Sequence, residues 1–323
     1  WGNSTNVTRL IENYSTSLSV ENGTDSPVIN IETMFYANYS STIMPVSGLS
    51  MDNYEIAQYI FQTDDIGQIL FSVENVDLDL DGEKDEYIVG ERNDIYLFQY
   101  GNSSFDTIGL NGADYVFEII GGDFNNDSYH DDYVVIGASN YIGVFNESGL
   151  VWDNTTLNSF SQAVGLVDLD RDGLINDFIV IGQDYITAIN YNGTVEWETF
   201  VDMNADYSEI EGTDYNGDGY FDEIIVNRYM GVLIYNNTGN LIKNITIPTG
   251  NSRSLAVLDI DGNGNYTDIF VGGYTYLYRL NPNGSVNWTR DVEQYNNELH
   301  AFKNLEGEYE IVATGSDDSF YSF

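Results

Sequence analysis

One acidic phrase recurs five times in this chain at a nearly constant interval. It reads VDLDLDGEKDEYIVG from Val76, GDFNNDSYHDDYVVIG from Gly122, VDLDRDGLINDFIVIG from Val167, TDYNGDGYFDEIIVN from Thr213 and LDIDGNGNYTDIFVGG from Leu258. The first aspartates, Asp77, Asp123, Asp168, Asp214 and Asp259, lie 46, 45, 46 and 45 residues apart. A period so regular means one supersecondary unit used repeatedly, because a unit that cannot bury its own apolar face must stack on its copies. Leucine-rich and tetratricopeptide units are shorter or helical, and no segment here keeps a 3.6-residue apolar period.

Residues 117–160 show what one unit contains. An apolar run at 117–122 leads into the acidic stretch, followed by YVVIG at 133–137 and a third run at 141–145. A turn at Asn146-Glu147-Ser148-Gly149 then leads to a fourth run at 150–153. Four short β-branched runs separated by turn residues make one blade of a β-propeller. The third-to-fourth connections repeat as well: YLFQYGNSSF, GVFNESGLVW, AINYNGTVEW, LIYNNTGNLI and YRLNPNGSVNW. Asn-Gly and related pairs tolerate positive φ and favour tight hairpins.

A sixth beat falls near residue 305, where the chain reads FKNLEGEYEIVATG from Phe302. Glu306 and Glu308 are poor substitutes for the aspartate ladder, so no ion is expected there. Strands are expected at 309–313 and 319–323, after which the blade lacks a fourth strand. Residues 53–62, NYEIAQYIFQ, are placed to supply it and close the ring. The expected fold is all-β, a propeller of six four-stranded blades over 51–323, with seven open if 28–50 contribute. Closure removes exposed sheet edges. Residues 1–50 form an N-terminal extension, read either as a glycosylated leader or as a strand that pairs with another copy. The chain begins at Trp1, which is read as a removed leader or a fragment boundary.

Aligned on the first aspartate, the loops have a consistent chemistry. Positions 1, 3 and 5 are Asp77, Asp79 and Asp81; Asp123, Asn125 and Asp127; Asp168, Asp170 and Asp172; Asp214, Asn216 and Asp218; Asp259, Asp261 and Asn263. Position 6 is glycine except at Ser128, which allows a sharp turn and turns the position-7 carbonyl inward. Position 9 or 10 adds Asp85, Asp131, Asp177, Asp222 and Asp268, with Asn176 and Thr267 sharing the role where the acid falls late. Hard oxygen ligands without His or Cys suit Ca²⁺, about five ions, ahead of Mg²⁺ with its stricter octahedral demand.

This pattern resembles the FG-GAP/VCBS family of calcium-binding β-propeller repeats, the class that includes integrin α-subunit heads. The resemblance covers about 66–315 and implies one Ca²⁺ per loop, between the first and second strands of five blades. The Phe-Gly and Gly-Ala-Pro signatures are mostly missing, with Gly137-Ala138-Ser139 nearest the latter. Ser128 makes the second site the expected weakest. The hairpins also look like those of quinoprotein-type propellers, without any sign of a quinone site.

Fifty-two acids against ten bases give a formal charge of −42, which disfavours nucleic acid and anionic membranes as partners. No apolar run is long enough for membrane insertion, and the absence of cysteine removes disulfides and thiol chemistry. Asn-X-Ser/Thr occurs 15 times, about three times the chance rate for this composition, and marks surface glycosylation of an exported, extracellular or cell-surface chain. The expected glycan sites are Asn3, Asn6, Asn13, Asn22, Asn38, Asn102, Asn146, Asn154, Asn192, Asn236, Asn244, Asn283 and Asn287. Asn126 and Asn265 lie inside acidic loops and are expected bare.

Three functions fit these features. The first is a structural subunit of a cell-surface filament or layer that joins copies of itself through 1–50, head to tail. The second is an adhesin or lectin in which Trp152, Trp197 and Trp288 stack on sugars, against which stands their recurrence on the fourth strand, where they would pack between blades. The third is a polysaccharide lyase, which needs a base in a cleft. Lys84, Lys243, Lys303, His130 and His300 form no recognisable constellation, and His130 is read as solvent-exposed. The chain is therefore expected not to be an enzyme.

Overall fold

The structure, a computed structural model, describes residues 72–99, 105–138, 140–158, 161–201, 209–248, 250, 252–292, 296–303, 309–315 and 320–322. All of them belong to one compact unit, Asp65–Phe323. Residues 1–50, the strand expected at 53–62, Asn102 and Glu306 with Glu308 lie outside the described residues.

The described residues are all-β. They form five four-stranded antiparallel sheets and one three-stranded sheet, each ordered as the chain runs. The second sheet consists of Val116–Gly122, Asp132–Gly137, Tyr141–Asn146 and Gly149–Asn154, within a residue or two of the runs read from sequence. The three-stranded sheet, Asn296–Lys303, Tyr309–Gly315 and Phe320–Ser322, stands at the sixth beat.

Burial explains the sequence pattern. The second and third strands of a sheet are covered on both faces, so Asp132–Gly137 is buried throughout and reads as an unbroken apolar run. Fourth strands such as Gly149–Asn154 have only partial cover and are mixed in polarity. The apolar core is divided among the seams between consecutive sheets. Val76, Ile88 and Ile95 of the first sheet pack with Val116, Ile119, Tyr133 and Val135 of the second. Four further clusters occupy the next four seams. Each fully buried Ile or Val adds about 1.5–3 kcal/mol, so the seams are what hold one unit to the next.

First strands of neighbouring sheets share no backbone ladder, and side chains cross between them instead. The Ile119 amide donates to Ser72 Oγ at 3.0 Å and the Val164 amide to Glu118 Oε2 at 2.8 Å. The Leu255 amide likewise donates to Glu209. The approach is closest at Gly212, where an added Cβ would lie 2.0 Å from the Leu166 carbonyl oxygen.

Candidate metal centre

Within every sheet, antiparallel order puts the connection between strands one and two at the same end as the hairpin between strands three and four. That end carries the acidic loops. All five loops share one backbone frame. The position-1 carboxylate accepts the amides of positions 5 and 6: Asp81 and Gly82 on Asp77, Asp127 and Ser128 on Asp123, Asp172 and Gly173 on Asp168. Asp218 and Gly219 do the same on Asp214, and Asn263 and Gly264 on Asp259, with all ten distances between 2.9 and 3.0 Å. Position 5 in turn accepts the amide of position 7, as in Asp81 with Glu83 and Asp127 with Tyr129.

Two left-handed residues make this curl. Position 6 has φ between +80° and +93° in every loop, Ser128 included. Position 4 is also left-handed in every loop: Leu80, Asn126, Arg171, Gly217 and Gly262 have φ between +59° and +76°. Ser128 thus keeps the glycine geometry, and the frame of the second loop is intact.

The structure separates positions 9 and 10, which the sequence reading had combined. Position 10 opens the second strand and is acidic throughout: Glu86, Asp132, Asp177, Glu223 and Asp268. Each accepts the amide of position 2, at 2.7–3.2 Å. Remaining oxygens are also engaged: Asp177 Oδ1 accepts the Tyr191 amide and Asp268 Oδ1 accepts from Arg279. These acids brace the loop. Sequence reasoning missed Glu86, Asp132 and Glu223, and the uniform acid one residue before the apolar run was the available signal. Asp177 and Asp268, grouped with Asp85, Asp131 and Asp222 on sequence, belong to this bracing row.

Position 9 is different. Asp85 is half-buried, Asp131 and Asp222 are fully buried, and Asn176 and Thr267 fill the place in the third and fifth loops. Neither carboxylate oxygen of Asp131 meets a hydrogen-bond donor. Its neighbour is the Glu147 carboxylate, and two carboxylates bond only by sharing a proton. Burial first, then Glu147, push Asp131 up to about 7. Burial likewise raises Glu86 to about 7 and both Asp132 and Asp177 to about 6. The oxygens of Asp77, Asp79 and Glu86 come within 4.8 Å of one another, as do those of Asp168, Asp170 and Asp172.

The loops are tied to one another. The Asp77 amide donates to the His130 carbonyl and the Asp168 amide to the Phe221 carbonyl, both at 2.9 Å. Asn176 Nδ2 reaches the Phe124 carbonyl at 2.9 Å, and the Tyr266 amide reaches the Asp214 carbonyl at 3.0 Å. His130 is half-buried with its ring beside Gly121, which corrects the exposed position read from sequence. Arg171, at position 4 of the third loop, crosses to the fourth. Its Nη2 lies 2.7 Å from Asp222 Oδ2 and 3.1 Å from Asp218 Oδ2, and its Nε also donates to Asp222.

The hairpins at this end carry Asn146, Asn192, Asn236 and Asn283. Asn192, Asn236 and Asn283 each accept the hydroxyl of the following Thr or Ser through Oδ1 at 2.6–2.9 Å. Asn154 makes the same bond at the opposite end of its strand. Asn244 and Asn287 lie exposed within outer strands. Asn126 is exposed in its loop, while the Asn265 amide group packs against Gly217 of the fourth loop.

Two tryptophans lock these hairpins across the seams. Trp152 Nε1 donates to the Tyr191 carbonyl of the next hairpin and Trp197 Nε1 to the Asn237 carbonyl, each at 2.7 Å. Their rings cover Gly193 and Gly239, where a Cβ would lie 2.9 and 2.8 Å from the indole. One sheet later Lys243 takes the same place and donates to Pro282. Trp152 and Trp197 are therefore half-buried seam residues, as their recurrence on the fourth strand indicated.

No family model matches the chain, and no curated protein does. Solved structures match widely. The WD40 β-propeller domain of Doa1 aligns with a TM-score of 0.54 at 15% identity, over 79% of this chain and 78% of that one. The computationally designed Ika8 protein aligns at 0.57 and 12%, over 79% and 70%. BBS1N in complex with ARL6DN aligns at 0.55 and 12%, over 73% and 74%. The fold is a β-propeller. Identities this low carry the propeller fold and nothing more specific.

Proposed function

We propose that this propeller is an exported, calcium-stabilised scaffold whose acidic loops hold blades together. The observation that carries the reading is Asp131: a carboxylate buried to 0% exposure with no donor on either oxygen, inside a loop frame used five times. A buried charge without a partner is strongly unfavourable; without an ion, burial holds Asp131 toward its protonated form, and a cation would resolve the charge in the proton's place. The donor set consists of oxygens only, which fits Ca²⁺ held by positions 1, 3, 5 and 9. When bound, calcium supplies positive charge that offsets the repulsion of each loop. Position 10 braces the backbone, and the loop-to-loop bonds carry that rigidity across the seam.

The tryptophan locks and amide ties at this end act between blades and the loop frames act within them, which supports a scaffold rather than a catalyst. Propellers serve as interaction scaffolds elsewhere, and BBS1N was solved with a protein partner. The finer reading is a six-bladed, N-glycosylated subunit of a cell-surface filament or layer that joins its copies through residues 1–50. Its alternative is a carbohydrate- or protein-binding adhesin or lectin.

Negative-stain microscopy of the full chain, beside a version lacking residues 1–50, tests the assembly. Filaments or sheets from the full chain and single particles from the shortened one support it. Assembly that survives the deletion defeats the role given to 1–50. A mass drop on enzymatic removal of N-glycans tests the sequons, and an unchanged mass defeats them.

A further inference from the structure

The second and fourth loops share a frame but not a charge balance, and Arg171 makes the difference. We propose that Arg171 is a built-in counter-cation of the fourth loop, which makes that loop a weaker calcium site than the second. This rests on the calcium reading of the loops and assigns the exception within it.

Three observations place the guanidinium there. It contacts two of the four side chains expected to ligate an ion in that loop, Asp218 at position 5 and Asp222 at position 9. Asp222 is fully buried, and its Oδ2 accepts both Arg171 Nε and Nη2 at 2.7 Å. The ring of Tyr220, at position 7 of the same loop, lies under the guanidinium at 5.3 Å from its centroid. A planar guanidinium on a buried carboxylate, backed by an aromatic face, is a geometry arginine favours.

The route of the side chain is fixed by the fold. Arg171 sits at the left-handed position 4, with φ +61°, where the other loops have Leu80, Asn126, Gly217 and Gly262. The Asp168 amide bonded to the Phe221 carbonyl holds the start of the third loop against the fourth. Arg171 therefore reaches its acids without any opening of the seam. An ion entering the fourth loop has to displace it, and the displaced arginine loses both acids. In the second loop no donor reaches either oxygen of Asp131.

Native mass spectrometry of the full chain, titrated with calcium alone, reads this directly. Arg171→Asn puts at position 4 the residue that the second loop already carries there, so the left-handed backbone is kept. Arg171→Asn is expected to take up one more calcium than the unmodified chain at the same limiting calcium concentration. Asp131→Asn is expected to lose one ion, and Asp222→Asn none at the same calcium concentration. The Asp131→Asn and Asp222→Asn comparison decides the matter even if Arg171→Asn folds poorly. Equal counts for the unmodified chain and Arg171→Asn, or an ion lost from Asp222→Asn as from Asp131→Asn, overturn the proposal while leaving the calcium reading intact. No calcium on any form overturns both.

Discussion

The second and fourth acidic loops are built alike and balanced differently. Each has the position-1 carboxylate capping two amides, left-handed residues at positions 4 and 6, and a fully buried aspartate at position 9. Asp131 has no donor, and its neighbour Glu147 is another acid. Asp222 has a guanidinium from the preceding blade. The repeated residues set the shape of a loop, and a single residue outside its own loop sets its charge. The acidic phrase alone points to Ser128 as the flaw, yet Ser128 holds the same backbone as the glycines.

The largest effect expected is chelation. A ligand present at a hundredfold excess over its Kd stabilises by about 2.7 kcal/mol per site, so loss of several ions lowers the melting temperature by roughly 20 °C or more for a domain of this size. A melting curve that ignores chelator removes the comparison altogether, because neither loop would then need an ion.

Next in size are opposed effects of the two position-9 aspartates. Above pH 7, where burial no longer keeps Asp131 protonated, Asp131→Asn removes a charge that has no donor, and is expected to stabilise the chelated protein by about 1–3 kcal/mol while destabilising the calcium-loaded form. Asp222→Asn is expected to destabilise the chelated protein modestly, because it weakens the pair with Arg171. Chemical denaturation with and without chelator checks both signs, and the same sign for both variants breaks the contrast.

Acidity separates the ion-free and calcium-loaded states of the first three loops. Burial raises Glu86 and Asp131 to about 7 and Asp132 and Asp177 to about 6. The folded, calcium-free chain therefore binds protons more readily than the unfolded chain. The stability these four groups contribute is fully present below the ordinary carboxylate range and is lost as pH rises through about 6 to 7. Calcium competes with those protons, so the stabilisation it gives grows over the same interval. Melting curves between pH 5 and 8, with and without calcium, should diverge upward, and parallel curves count against the ion.

A seam test in the first strands, two residues ahead of Asp214, is expected to be smaller and to change little with calcium. Gly212→Ala puts a Cβ 2.0 Å from the Leu166 carbonyl oxygen and is expected to cost about 1–3 kcal/mol in either condition. A calcium-dependent cost would mean that loops and seam are not separable.

Blade content was legible in the sequence because second and third strands are buried on both faces, which leaves runs such as YVVIG and FIVIG without polar interruption. The loop frame was legible in part. Aspartates at positions 1, 3 and 5 and glycine at 6 announce it, but the left-handed position 4 is carried by Leu80 and Arg171, which give no sign of such a backbone. The bracing acids Glu86, Asp132 and Glu223 were hidden because they adjoin another acid at position 9, and composition cannot tell a brace from a ligand. The partner of Arg171 lies 51 residues ahead, a distance at which sequence carries no pairing signal.

The account is tested most directly by calcium anomalous diffraction from crystals grown with the ion at a limiting concentration. The account predicts a strong peak between Asp123, Asn125, Asp127 and Asp131, and a weak or missing peak at the fourth loop with Arg171 still on Asp222. A second loop without a peak would contradict the calcium reading, and a fourth loop as full as the second would contradict the role given to Arg171.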